Sequence, residues 1–82
     1  MRGFLRHFEN TWIEAEGMSS DIPSDSCICN ILNILTEFNN SKQPEIIGEL
    51  LFNIAAISKQ YNINVDAVLK EYLDQLKIEK YE

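Results

Sequence analysis

The sequence predicts an all-α protein, and two features of the chain indicate this fold class. Apolar residues recur every three or four positions along most of its length, and no long stretch alternates as a strand does. Only two prolines and three glycines interrupt the chain. Four amphipathic segments with short connections predict an antiparallel four-helix bundle, formed by one domain over residues 1–82.

The first helix is predicted at residues 2–16. Phe4, Phe8 and Trp12 are spaced four residues apart and form one apolar stripe. We expect this stripe to lie in the core or to cross a subunit interface; the alternative is that it anchors a partner protein. Gly17 suits the left-handed position that commonly ends a helix.

The second helix is predicted at residues 25–39, with Ser24 or Asp25 as its N-cap. Its expected buried face consists of Ile28, Ile31, Leu32, Leu35 and Phe38. Asn30 and Asn33 belong to a polar stripe on another side of the helix.

The third helix is predicted at residues 44–61 and is apolar over most of its circumference. Pro44 fits the first turn, where its missing N–H has no partner to lose. Glu45, Glu49 and Asn53 form a narrow polar stripe, one turn apart. A helix this apolar lies at the centre of a bundle or in a subunit interface. We therefore expect a homo-oligomer that completes the bundle.

The fourth helix is predicted at residues 65–79. Asn62 is placed to end the third helix, and Asn64 is placed to cap the fourth. The expected buried face of the fourth helix consists of Val65, Val68, Leu69, Tyr72, Leu73 and Leu76. Burial of this face against the other three helices would close the bundle.

Charge and cysteine content restrict the class of protein. The net charge is −6 and the seven lysines and arginines are scattered, so no basic patch for nucleic acid or an anionic membrane is predicted. Cys27 and Cys29 are too close in sequence for easy disulfide geometry, and with one histidine they do not complete a zinc site. We expect reduced thiols in a cytoplasmic protein, without a signal peptide or a membrane span.

Residues 44–77 resemble part of a known family. The segment 48–52 reads Gly-x-Leu-Leu-Phe, the turn 62–64 reads Asn-Ile-Asn, and residues 67–69 read Ala-Val-Leu near the start of a helix. This order is similar to the third and fourth helices of the MazG-like nucleotide pyrophosphohydrolases. The resemblance implies an all-α fold that hydrolyses nucleoside triphosphates to monophosphate and pyrophosphate. It also implies Mg²⁺, held by a Glu-x-x-Glu on one helix and a Glu-x-x-Asp on the next.

These metal motifs are incomplete in this chain. At the second motif, Ile46 replaces the first carboxylate and Glu49 keeps the second. At the first motif, Asn30 and Asn33 stand in both glutamate positions. Glu45 lies one turn from Glu49, although it is one residue away from the motif position. Three of the four anionic ligands that the resemblance implies are therefore missing.

The sequence leaves two interpretations of these residues. In the first interpretation, Glu45 and Glu49 form a residual, weak Mg²⁺ pair, and Asn30, Asn33 and Asn53 line a ligand site. The alternative is that the carboxylates are a helix-start charge on a solvated face and that the asparagines are exposed helix surface. No catalytic residue is assigned under either interpretation.

Two functions follow as hypotheses. The first is a MazG-like nucleotide-binding or regulatory protein with lost or weak pyrophosphohydrolase activity, and with Mg²⁺ as its sole expected cofactor. The second is a non-enzymatic helical module for protein–protein interaction, such as a phage or bacterial accessory protein.

Overall fold

The chain forms four α-helices in a computed structural model, which describes the backbone of residues 2–81 and the side-chain surroundings of residues 7–78. The helices are α1 (Arg2–Met18), α2 (Ser24–Ser41), α3 (Glu45–Gln60) and α4 (Val65–Tyr81). The described backbone contains no strand. The all-helical prediction is confirmed, and each helix end lies within two residues of its predicted position. Over the described residues, none of the helices combines the length and the apolar character needed to span a membrane.

The central helix is α3, and both α1 and α2 pack on it. Ala55 and Ala56 are fully buried and Ser58 is 4% exposed. Side chains this small allow neighbouring helix axes to approach closely. The Gln60 side-chain amide donates a hydrogen bond to the carbonyl oxygen of Ile22, so the α1–α2 connection lies against the end of α3.

The buried face of α2 is narrower than predicted. Cys27 is fully buried and Ile34 is 3% exposed, and Ile31 and Phe38 are half-buried. At 3.6 residues per turn these four positions span about 60° of the helix surface. The predicted members that are instead exposed are Ile28, Leu32 and Leu35, at 47%, 62% and 49%. Their assignment to the core was wrong, because the helix that α2 packs on covers only one side of it.

Two of the predicted helix caps are wrong. Gly17 lacks a positive φ angle and lies within α1, which continues to Met18. Just beyond the end of the helix, the Ser19 hydroxyl donates to the carbonyl oxygen of Ala15 at 2.6 Å. At the start of α2 the capping position is Pro23, which has no side chain to bond the free N–H groups.

The connection between α3 and α4 follows its prediction. Asn62 adopts the left-handed conformation with φ 53°. The Asn64 side-chain oxygen accepts the backbone N–H of Ala67 at 3.0 Å, which is the bond that an N-cap makes. The backbone N–H of Ile63 also bonds the carbonyl oxygen of Ser58 at 2.8 Å. These local bonds fix where α3 ends and where α4 begins.

The fourth helix projects from the other three. Over residues 2–81, helix packing joins α2 to α3 and α1 to α3, and α4 has no contact of that extent. Val65 is half-buried. The rest of the predicted buried face is 41% to 57% exposed, namely Val68, Leu69, Tyr72, Leu73 and Leu76. The prediction that these residues are buried within the chain was wrong, because none of the described parts of α1, α2 and α3 packs along α4.

Candidate functional site

Two asparagines join α2 to α3 at the predicted ligand site. The Asn30 side-chain amide donates to the Asn53 side-chain oxygen at 3.4 Å, which is a long and weak hydrogen bond. The Asn53 amide donates to the backbone oxygen of Glu49 at 2.8 Å. Asn53 is 5% exposed, whereas Asn30 is exposed. Both ends of the Asn53 side chain are therefore engaged within the chain, and Asn30 keeps hydrogen-bonding capacity for another molecule.

The remaining predicted site residues are exposed along the same two helices. Asn33 lies three residues after Asn30 and therefore on the same side of α2. Glu49 stands one turn before Asn53, and Glu45 lies in the first turn of α3. All three of these side chains face water. The structure thus brings together Asn30, Asn53 and the backbone of Glu49.

The first position of the second metal motif that the resemblance implies, Ile46, belongs to the core. Ile46 is 6% exposed and is one of the buried residues of α3. Of the four motif positions, Glu49 alone carries a carboxylate. Mg²⁺ prefers several hard oxygen ligands, of which carboxylates are the strongest. One carboxylate and two amides do not fit the magnesium site that the resemblance implies.

No three side chains of the types His, Cys, Asp and Glu come together as a metal-binding group among residues with described side chains. The pair formed by Glu45 and Glu49 stays a prediction. The thiols are both free, with Cys27 buried and Cys29 exposed.

An open groove of about 1260 Å³ lies between α1, α3 and the start of α4. Its apolar walls include Phe8 and Trp12 of α1 and Leu51 and Ile54 of α3. The rings of Phe8 and Trp12 are stacked, with their centroids 6.1 Å apart. Phe8 is 51% exposed and Trp12 is half-buried, so neither ring is enclosed in the core. Phe4, the third member of the predicted stripe, lies outside the residues with described side chains.

The position of this groove was not predicted, although the amino-acid sequence carries a signal for it. The chain has more amphipathic helix surface than three packed helices can cover. The sequence alone assigned that surplus to a closed bundle and to the third helix. In the structure, exposed apolar side chains lie on all four helices, among them Phe8 of α1, Leu32 of α2, Leu51 of α3 and Leu69 of α4.

No family model, curated protein or solved structure matches this chain.

Proposed function

We propose that this chain is a non-catalytic helical association protein on a MazG-like scaffold, and that α4 binds a second helical surface. The observation that carries this proposal is the exposed apolar face of α4. We call this face the α4 stripe; it consists of Val68, Leu69, Tyr72, Leu73 and Leu76. Contiguous exposed apolar surface of this kind marks interaction sites.

The energetics of α4 support association. Complete burial of a large apolar side chain contributes about 1.5–3 kcal/mol. Each of the five stripe residues is roughly half exposed, so a partner that covered them would gain about 4–7 kcal/mol before the costs of association. A helix of 17 residues with little tertiary packing is only marginally stable in water. A partner surface would supply the packing that α4 lacks.

The loss of catalysis is supported by Ile46. Restoring the motif carboxylate with Ile46→Glu puts a charge at a position that is 6% exposed. We expect this variant to lose about 2–5 kcal/mol of unfolding free energy in urea titrations, without recovery on addition of Mg²⁺. The matched control is Ile47→Glu, at an adjacent position that is 37% exposed, and its expected loss is smaller.

Association is tested by analytical ultracentrifugation over a range of chain concentrations, alone and with candidate partner proteins. We expect Leu69→Asn with Leu76→Asn to abolish association. Ile78→Asn is the matched control, because Ile78 is 61% exposed and projects from the opposite side of α4. Circular dichroism verifies that each variant remains helical. The proposal is wrong if the stripe variant associates as the wild type does, or if the wild type releases pyrophosphate from nucleoside triphosphates with Mg²⁺.

A second candidate function is nucleotide binding where α2 packs on α3. The bound nucleotide is either hydrolysed or left intact. The observation that favours it is the exposed Asn30 amide held beside buried Asn53, since amides form specific hydrogen bonds with bases and ribose. Nucleotides with and without Mg²⁺ should then raise the melting temperature by mass action on the folded state. Asn30→Ala should remove that increase. An unchanged melting temperature across the panel would eliminate this candidate.

A further inference from the structure

The groove and the α4 stripe are both apolar, and one is concave where the other is a helix face. The groove is an apolar channel bordered by α1, α3 and the first turns of α4. Over residues 2–81 no other helix packs along the stripe, and two of its members, Val68 and Leu69, also line the groove. At 3.6 residues per turn its members span an arc of about 140°, which is the width of a face that packs into a groove between helices. A helix of 17 residues is about 25 Å long.

The chain exposes more surface area than a compact monomer of its mass. The chain has a mass of 9.5 kDa and exposes 6852 Å². A compact monomer of that mass exposes about 5,000 Å², so the surplus is about 1,800 Å² per chain. Twice that surplus falls within the roughly 2,000–5,000 Å² that obligate homodimers bury. The radius of gyration, 14.6 Å, also exceeds the value of about 12 Å for a compact domain of this length.

The charges beside the two surfaces have matching spacing. Glu9 and Glu16 lie seven residues apart on the α1 side of the groove. Lys70 and Lys77 are also seven residues apart, exposed on one flank of the α4 stripe. In both helices this separation is about 10.5 Å along the axis. Opposite charges in equal spacing favour one register of α4 in the groove.

We propose that the partner of this chain is a second copy, and that α4 of each copy lies in the groove of the other. This inference depends on the proposed function, because it names the occupant of the association surface. A two-fold arrangement fills both grooves and covers both stripes at once, which is how an isologous dimer satisfies identical surfaces. Glu9 and Glu16 of each copy then pair with Lys70 and Lys77 of the other.

A pair of charge-reversal variants tests this arrangement. One variant carries Glu9→Lys and Glu16→Lys, and the other carries Lys70→Glu and Lys77→Glu. Each variant alone opposes like charges at both grooves, so we expect its self-association to weaken at least tenfold in sedimentation experiments. A one-to-one mixture opposes unlike charges at both grooves. We therefore expect the mixture to sediment as a dimer, at concentrations where each variant alone is a monomer.

The control variant carries Glu14→Lys and Glu37→Lys, which change the net charge equally at exposed positions that do not line the groove. It should dimerise as the wild type does. Trp12, the single tryptophan of the chain, lies in the groove, and its emission should shift to the blue when the mixture forms. Circular dichroism of the separate variants verifies their helical content.

The outcomes separate this inference from the proposed function. A wild-type chain that stays monomeric, or a mixture that associates no better than its components, overturns the second-copy arrangement. If such a monomeric chain binds a protein of different mass, and Leu69→Asn with Leu76→Asn abolishes that binding, the proposed function stands. If the stripe variant behaves as the wild type in every association measurement, both are overturned.

Discussion

Gly48, in the first half of α3, provides a direct test of how α1 and α3 pack. Glycine within a helix is less favourable than alanine by about 0.5–1 kcal/mol, because it loses more backbone freedom on folding. A Cβ atom built at Gly48 meets nothing within 4 Å. Gly48 also borders a cleft of about 290 Å³ between the two helices. Gly48→Ala should therefore stabilise the chain by nearly the full difference in helix propensity, about 0.8 kcal/mol.

The gain is large enough to measure in so small a protein. For a domain of 60–100 residues, 1 kcal/mol corresponds to about 4–8 °C in melting temperature, so the expected increase is about 3–6 °C. Thermal and urea unfolding followed by circular dichroism give the melting temperature and the free energy of unfolding. Gly17→Ala is the matched control, since a Cβ atom there also meets nothing within 4 Å. Its gain should be smaller, because Gly17 lies in the last turn of α1.

A loss of stability in Gly48→Ala, with a gain in Gly17→Ala, would refute this reasoning. If the loss appeared at every chain concentration, α1 would have to lie closer to α3 than the structure describes. If it appeared only at high concentration, Gly48 would lie in the interface with a second copy. The measurement is therefore made at two concentrations that differ at least a hundredfold.

Three further predictions concern the contact between α2 and α3, the thiols and α4. Asn53→Ala should cost about 1–3 kcal/mol in urea unfolding, because it removes two hydrogen bonds at a buried position; an unchanged free energy would contradict this. A thiol reagent should modify Cys29 quickly in the native protein and Cys27 only on unfolding, given their exposure, and two fast thiols would refute the packing of α2. Asn64→Ala removes the N-cap bond and should cost about 1 kcal/mol, seen as faster amide hydrogen exchange in α4; uniform exchange across the chain would contradict it.

Helix positions were predictable because their signals are local. Asn62 and Asn64 mark the α3–α4 turn by side-chain chemistry that depends on a few neighbouring residues, and both adopt the expected roles. Gly17 shows the limit of such signals. The residue type permitted a left-handed cap, but Gly17 keeps a negative φ angle and α1 continues to Met18.

Burial was less predictable because it depends on what covers a face. Periodicity identified the apolar side of α4 correctly, yet Leu69 and Tyr72 are more than half exposed. The same holds for Leu32 of α2, which belongs to an apolar face wider than its neighbour covers. An amphipathic pattern shows that a face avoids water, and it does not distinguish a neighbour in the same chain from one in another molecule.

At the candidate site, the sequence predicted the residues and not their roles. Asn30, Asn53 and Glu49 were identified as polar positions on two facing helices, and the structure brings them together. The burial of Asn53 could not be predicted without knowing which helices pack on α3, since the same residue on an outer face would be exposed to solvent. Ile46, a motif position on the same helix, is apolar in sequence and buried in the structure, so here the residue type alone indicated the environment.

The distribution of buried side chains supports the proposal that α4 binds an external surface. The fully buried side chains are small, with Cys27 and Ser19 the largest of them, so α1, α2 and α3 have little apolar burial to contribute to an additional helix. Asn53 further limits that interior, because its hydrogen bonds to Asn30 and Glu49 replace apolar packing where α2 packs on α3. A closed four-helix bundle within one chain would require the groove to fold onto the α4 stripe. The short turn at Asn62–Asn64 joins α4 to α3, and the groove beside the start of α4 is open, so the proposed second chain has a surface to occupy.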